Sequence, residues 1–209
     1  MSLLTTWGYM ITDQDSLENM LDVDEFATFT GNKYRGKDEQ IEAEIKAACA
    51  AIRNYVGWHM YPSATCKMST TFYDRRVTVV GRDIMVQLPA RFVTEVKTVT
   101  INGVNVLNFV IDPIGILHIY DVIVCMPQRY HTIEITYVAG LMENMLDPIK
   151  ELIAHRVTHS LAVPAGITQE SSGGVSVTYN ANWINSARAT ALPDDNKEVL
   201  APYRLRGVF

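Results

Sequence analysis

Residues 38 to 57 read DEQIEAEIKAACAAIRNYVG, and this stretch decides the fold of the chain. Its apolar residues recur at spacings of three and four, which places them on one face of a helix. That face comprises Ile41, Ile45, Ala48, Ile52 and Tyr55, and we expect Ala47, Ala51 and Val56 to widen it. Asp38 is a suitable N-cap and Gly57 a suitable C-terminal stop. We therefore predict a buried central helix that carries no chemistry of its own.

Three further helices are predicted from their caps and apolar spacing. A short helix covers about Val23–Thr30 and has Asp22 as its N-cap. A longer helix runs from a cap at Asp147 to Ala162, and a short last helix covers roughly Asp194–Tyr203. These helices and the central one are expected to form a small helical bundle.

Between the central helix and the next, the sequence changes to short runs rich in β-branched and aromatic residues. The predicted strands are 66–73, 77–80, 84–88, 93–101, 104–111, 115–120 and 132–138. Turn residues separate them, and Asn102-Gly103 fits a type I′ hairpin turn in which both residues have positive φ. Regular turn spacing predicts an antiparallel sheet that closes into a small barrel or sandwich.

The fold class predicted is therefore α+β: a small helical bundle with an inserted antiparallel β-barrel or sandwich-like module and an extended C-terminal arm. We expect residues 1–21 to be an arm or a loosely packed lead-in. Residues 22–59 and 146–166 are expected to form the helical core, and 60–145 the inserted module. Residues 167–209 are expected to form the C-terminal arm, with a polar, strand-like segment and the short last helix.

Composition excludes several classes of protein. The 209 residues are 48% hydrophobic and 20% charged, as in an ordinary globular protein. A net charge of −5 argues against binding that depends on neutralising many phosphates. Three widely separated cysteines fit neither a disulfide framework nor a CxxC metal site, which indicates a reducing, cytoplasmic folding compartment. We expect no membrane span and no signal peptide.

One helix carries a spacing that is compatible with metal binding. His155 and His159 stand four residues apart, and Glu151 lies one turn earlier. The HExxH pattern of zinc hydrolases is absent, and a polar helix edge explains the same residues. The Asp74–Arg76 turn and Arg204 with Arg206 are two basic spots that either contact phosphate or face solvent. We predict no catalytic residue, no metal and no cofactor.

Several stretches resemble, in their order, the head–tail connector (adaptor or head-completion) proteins of long-tailed bacteriophages, in particular members with an inserted β module. The resemblance extends over most of the chain from about residue 22. The stretches that carry it are VDEFATFTG with DEQIEAEIKAACAAIRNYVGW, QLPARFVTEVKTVTINGV, IEITYVAGLMENMLDPIKELIAHRVTHSLA, ITQESSGGVSVTYNA and LAPYRLRGVF.

This resemblance implies a structural role in the neck of the virion, not an enzymatic one. Such proteins form a ring, usually of twelve subunits, beneath the portal protein. The ring extends the DNA channel without sequence-specific DNA binding and offers a surface to stopper or tail-completion proteins. The C-terminal segment of the family docks on the portal or on neighbouring subunits, which points to residues 167–209 here.

Seven residues of that segment are the predicted docking residues. Strand-like docking is expected of four of them, while the arginines are expected to pair with acidic groups of a partner. The seven are Glu170, Val175, Val177, Tyr179, Tyr203, Arg204 and Arg206. Two alternatives stay open: a metal-dependent hydrolase that uses His155 and His159, and another neck role such as stopper or tail terminator.

Overall fold

A computed structural model describes residues 3–122, 131–162, 169–172, 175–178, 192 and 194–205 of the protein. The α-helices are α1 (Val23–Phe29), α2 (Asp38–Val56), α3 (Asp147–Ala162) and α4 (Asp194–Leu200), with 3₁₀ turns at Glu143–Met145 and Ala201–Tyr203. The strands are β1 (Leu3–Leu4), β2 (Met10–Ile11), β3 (Ala64–Thr71), β4 (Val77–Val80), β5 (Asp83–Gln87), β6 (Val93–Ile101), β7 (Val104–Asn105), β8 (Phe109–Ile111), β9 (Ile116–Ile119), β10 (Thr132–Ala139), β11 (Gln169–Ser172) and β12 (Val175–Thr178).

The chain divides into two compact units. The helical unit comprises Asn19–Val56 and Glu143–Arg204. The β unit comprises Met1–Glu18, Gly57–Met142 and Leu205–Phe209. The structure is thus mixed α and β, as predicted, while the domain boundaries drawn from the sequence stay a prediction.

Helix α2 buries the face that its spacing predicts. Ile41, Ile45, Ala48 and Ile52 are at most 3% exposed, and Gly57 ends the helix with a φ of +83°. Ala47, which the sequence analysis added to this face, is exposed. The helix also begins at Asp38 itself, so Asp38 is its first residue and not its N-cap.

A buried cation joins α1 to the start of α3. Asp22 caps α1 as predicted: its carboxylate accepts the backbone N–H of Glu25, whose own carboxylate accepts the N–H of Asp22. The ammonium group of Lys150 donates to the other carboxylate oxygen of Glu25, and to Glu143 at 3.2 Å. Burial disfavours the charged form of Lys150, but its bonds to both glutamates outweigh this effect and raise its pKa.

The β unit contains two antiparallel sheets. One has the strand order β1-β2-β3-β10-β6-β7 and the other the order β4-β5-β9-β8. Their buried side chains alternate along the strands, as Ile133, Ile135, Tyr137 and Ala139 do along β10. Neither sheet closes into a barrel, so the predicted closure is not confirmed.

Most strand boundaries fall within one or two residues of the prediction. The turn at Asn102-Gly103 has φ values of +50° and +79° and pairs Ile101 with Val104, as a type I′ hairpin requires. The predicted strand 104–111 is wrong as one element, because the chain leaves one sheet after β7 and enters the other at β8. Between them, Leu107 is 90% exposed.

The N-terminal residues are packed more firmly than the sequence predicts. Strand β2 pairs with β3, and both Tyr9 and Ile11 are at most 2% exposed. The Tyr9 hydroxyl accepts the backbone N–H of His59 at 3.0 Å and lies 2.7 Å from the Nδ1 atom of the same residue. The expectation of a loosely packed lead-in is therefore wrong, since its short strands show little of the alternation that identifies longer ones.

Gly140 occupies a position that admits no side chain. Its φ is +147°, and a Cβ atom would lie 2.4 Å from the Cα of Ser63 and 2.7 Å from the carbonyl oxygen of Pro62. We expect Gly140→Ala to lower the free energy of unfolding by about 3 kcal/mol or more, because backbone must move. Urea unfolding measures this loss.

Gly81→Ala is the matched control, because Gly81 has a φ of +63° with no atom within 4 Å of the added Cβ. Backbone strain alone should lower its free energy of unfolding by about 1 kcal/mol. Equal losses in the two variants would show that the close approach at Gly140 is unimportant.

Lys150 is 8% exposed between two carboxylates, so its replacement leaves both without their cation. We expect Lys150→Met to lower the free energy of unfolding by about 2 kcal/mol, measured by helical circular dichroism in urea. The exposed Lys46 on α2 provides the control, and Lys46→Met should change stability by less than about 0.5 kcal/mol. A Lys150→Met variant as stable as the wild type would mean that desolvation of the ammonium group cancels its ion pairs.

Candidate docking surface

Part of the predicted strand-like segment forms a two-stranded ribbon, β11–β12. Glu170 pairs with Val177, and Ser172 pairs with Val175. Paired and alternate residues share a face, so these four positions lie on one face of the ribbon. Within the described residues, neither strand pairs with a third one. Because an isolated pair of strands is only marginally stable in water, the ribbon is suited to pairing with a further strand.

The last described residues pack on the end of α2. The Tyr55 hydroxyl donates to the carbonyl oxygen of Lys197 at 3.4 Å. The guanidinium carbon of Arg204 lies 5.1 Å from the centre of the Tyr55 ring, within cation–π range. The side chain of Arg204 is exposed on its other side, and Tyr203 is half-buried. This arrangement fixes the direction of Arg204 at the end of α2.

The structure therefore separates the predicted docking residues into two groups. Glu170 and Val177 face each other across the ribbon, and Val175 lies in the same strand as Val177. Tyr203 and Arg204 belong to the 3₁₀ turn and its C-cap after α4. The other two predicted residues, Tyr179 and Arg206, lie outside the described residues. A docking role for all seven stays a prediction.

The last part of the expected C-terminal arm packs into the helical unit. Leu192 is 4% exposed and Leu200 of α4 is fully buried. Each stands in a polar, proline-containing stretch of sequence, which does not predict its burial. Removing the whole segment 167–209 would therefore remove core side chains, whereas the ribbon can be altered separately.

An ion pair that sequence reasoning treated as a solvated turn holds the start of β4. The carboxylate of Asp74 accepts bonds from the Arg76 backbone N–H at 2.9 Å, from Nε at 3.1 Å and from Nη2 at 2.9 Å. The backbone carbonyl oxygen of Asp74 accepts the N–H of Val77 at 2.9 Å. The bonds from Arg76 hold the pKa of Asp74 well below its usual range. Gly8 packs against the Arg76 guanidinium group, where a Cβ would lie 3.0 Å away.

The histidine pair on α3 does not assemble a metal site in the described chain. His155 is 76% exposed, and its Nε2 atom lies 3.9 Å from a carboxylate oxygen of Glu151. His159 is only half-exposed. Among the residues that the structure describes, no group of three or more His, Cys, Asp or Glu side chains could hold a metal ion.

Two of the three thiols lie in the described structure, and both are buried. Cys49 lies on α2, where its sulfur accepts the backbone N–H of Met20. Burial raises the pKa of the Cys66 thiol to about 12, so this thiol is not a nucleophile at neutral pH. Cys125 lies outside the described residues.

The head completion protein family model matches residues 19–205, so the chain belongs to this family of phage head-completion proteins. Its role is therefore in phage head assembly, and its place is in the virion. No curated protein matches the chain in a sequence comparison. None of the described helices is long and apolar enough to cross a membrane. The first 18 residues, with β1 and β2, lie before the matched range.

The Asp74–Arg76 pair predicts a dependence of stability on pH. Because the folded-state pKa of Asp74 is lowered, its contribution is present above the ordinary aspartate pKa of about 4 and is lost as the pH falls below that value. We expect Asp74→Asn to lower the free energy of unfolding by about 1 kcal/mol at pH 7. The difference should decrease as the pH falls from about 4 to about 2, as measured by urea unfolding across the pH range.

Asp121 is an exposed residue of the same unit and provides the control. Asp121→Asn should follow the wild-type stability at every pH. An Asp74→Asn deficit that persists unchanged at pH 2 would show that the charge of Asp74 is not what stabilises the turn.

Proposed function

We propose that this protein is a head–tail connector subunit, which assembles into a ring below the portal protein of a tailed phage. The ring, usually of twelve copies in this class, extends the DNA channel and presents a surface for stopper or tail-completion proteins. The observation that carries this proposal is the family match over residues 19–205, which makes a structural, non-enzymatic role in the virion the expected one.

The ribbon supports the docking part of the proposal. Strands β11 and β12 have edges that no described strand occupies, and an extended segment can add to the edge of a partner sheet. Arg204, which stacks on the ring of Tyr55, is proposed to contact an acidic group on the portal or on a neighbouring copy. Arg206 is proposed to act in the same way. Folding in the host cytoplasm before assembly is part of the proposal.

The acidic balance supports passage of DNA through the ring. With a net charge of −5 per subunit, a ring concentrates negative charge around its channel. A lumen lined by carboxylates would repel phosphates, so DNA would slide without binding. A lumen lined mainly by lysine and arginine would contradict this part of the proposal.

The alternative functions have less support. The hydrolase alternative needs a third ligand beside His155 and His159, and the described residues supply none. Stopper and tail-terminator roles would use the same family fold at another level of the neck. Position in the particle separates them, since fold alone does not define function.

Electron microscopy of DNA-filled heads that lack this protein tests the proposal. Adding the purified chain should produce an annulus with the symmetry of the portal at one vertex only. The isolated portal ring serves as a second template. Failure to bind either template, or binding only above a further ring, would contradict a connector position directly below the portal.

A ribbon replacement tests which segment docks. Replacing Gln169–Thr178 with a Gly/Ser linker of equal length removes the ribbon but keeps Leu192 and Leu200 in the core. We expect the helical circular dichroism to match the wild type and the occupancy of portal vertices to fall at least about tenfold. Normal occupancy by this variant would show that the ribbon is not a docking element.

A further inference from the structure

The outer edge of β4 is open and flat. In the antiparallel pairing of β4 with β5, the backbone N–H of Gln87 donates to the carbonyl oxygen of Arg76. Hydrogen-bonded pairs alternate with non-hydrogen-bonded pairs along such strands, so the next hydrogen-bonded pairs are Thr78 with Met85 and Val80 with Asp83. The N–H and C=O of Val79 therefore point away from β5. Among the described residues, no hydrogen bond to these two groups is found outside the pairing of β4 with β5.

Strand β4 is short, but it lacks the charges, prolines and bulges by which proteins protect an edge. It reads VTVV without charge or proline, its register with β5 contains no bulge, and Val79 and Val80 are 42% and 58% exposed. Such an edge is a template for a further strand. The Asp74–Arg76 ion pair and the bond from the N–H of Val77 to the Asp74 carbonyl hold the start of this strand.

The other strand edges of the β unit differ from the outer edge of β4. Strand β6 has two register shifts against β10, which leave Thr94 and Lys97 as extra residues, and bulges with a lysine discourage strand addition. Strand β2 covers β3 at Cys66 and Lys67. Strand β8 has only three residues, and Pro113 follows it closely. Among the described strands, β4 is thus the edge best suited to accept another strand.

The ribbon has the strand that fits this edge. Strand β12 reads VSVT, so it matches β4 in length and in its alternation of valine with hydroxyl residues. Neither sequence contains a charge that would be desolvated on pairing. In the described chain β12 pairs only with β11, which leaves its second edge available. Joining the ribbon to the four-stranded sheet would satisfy the open backbone groups of both elements.

We propose that β12 of one copy adds in parallel to β4 of a second copy, with Val177 opposite Val79, so that the ribbon and the four-stranded sheet form one continuous sheet across the subunit boundary. In this pairing the outward backbone groups of Val79 bond to those of Ser176 and Thr178. The contact uses two different surfaces of the same chain, as the head-to-tail contacts of a ring require. This inference rests on the proposed ring, and it names the neighbouring copy, not the portal, as the partner of the ribbon.

A proline at the edge tests the pairing without disturbing the fold. Val79→Pro removes the outward N–H of residue 79, while the bonds of Thr78 and Val80 to β5 stay intact. We expect its thermal unfolding to resemble the wild type and its occupancy of portal vertices to fall about tenfold. Val79→Thr keeps the N–H and the branched shape, so this control should fill portal vertices normally. A folded Val79→Pro protein with wild-type occupancy would overturn the proposal.

Disulfide trapping provides the direct measurement. Val79→Cys protein labelled with ¹⁵N is mixed with unlabelled Val177→Cys protein, oxidised on heads and in concentrated solution, and analysed by peptide mass spectrometry. We expect a disulfide between residues 79 and 177 that joins labelled to unlabelled chains. Leu107→Cys, at a position 90% exposed on the same unit, replaces Val79→Cys in the control and should give no such link. Wild-type protein measures the background from native cysteines.

The remaining outcomes distinguish this inference from the proposed function. No 79–177 link in either sample, or a 79–79 link, overturns the strand exchange. If wild-type protein still joins heads in that case, the connector role stands and the ribbon contacts the portal. If wild-type protein does not join heads but the 79–177 link forms in solution, the strand pairing stands and the connector role fails.

Discussion

The ammonium group of Lys150 is the interaction on which the helical unit depends. It binds Glu25, which completes the capping box of α1, and Glu143 in the 3₁₀ turn before α3. Helix α1 and the distant segment that comprises the 3₁₀ turn and α3 therefore share one cation. An apolar contact would tolerate sliding of one helix along another, whereas a cation held between two carboxylates fixes their register. The apolar face of α2 then packs against helices whose positions are already set.

In the β unit, by contrast, backbone hydrogen bonds between strand edges determine how the strands are arranged. Apart from β1 and β2, the strands of both sheets come from residues 57–142, and the connection from β7 to β8 carries the chain from one sheet to the other. Strand β6 is bulged and charged, and β2 covers part of β3, but β4 is left bare and is held in place by Asp74 and Arg76. An exposed strand edge that is held in place is suited to pair with a strand of another chain.

Much of this architecture could be predicted from local pattern. The spacing of Ile41, Ile45, Ala48 and Ile52 gives the buried face of α2, and Asn102-Gly103 gives a hairpin. The change of sheet after β7 could not be predicted, because alternation shows that a strand exists and not which strands it pairs with. The burial of Tyr9 depends on a hydrogen bond to His59, fifty positions away. The ribbon was predicted as strand-like, but its two halves pair with each other, and the open edge of β4 has no signature in sequence at all.

The main segment of the β unit, Gly57–Met142, has its two ends close together. The backbone N–H of Leu141 donates to the carbonyl oxygen of Met60 at 2.7 Å, and Gly140 lies against Ser63. A segment whose two ends are neighbours can be lost or gained by a helical protein through a connection of a few residues, since the distance to be closed is already short. The segment is therefore suited to gain or loss as one module, since the helical unit needs only a short connection across this point.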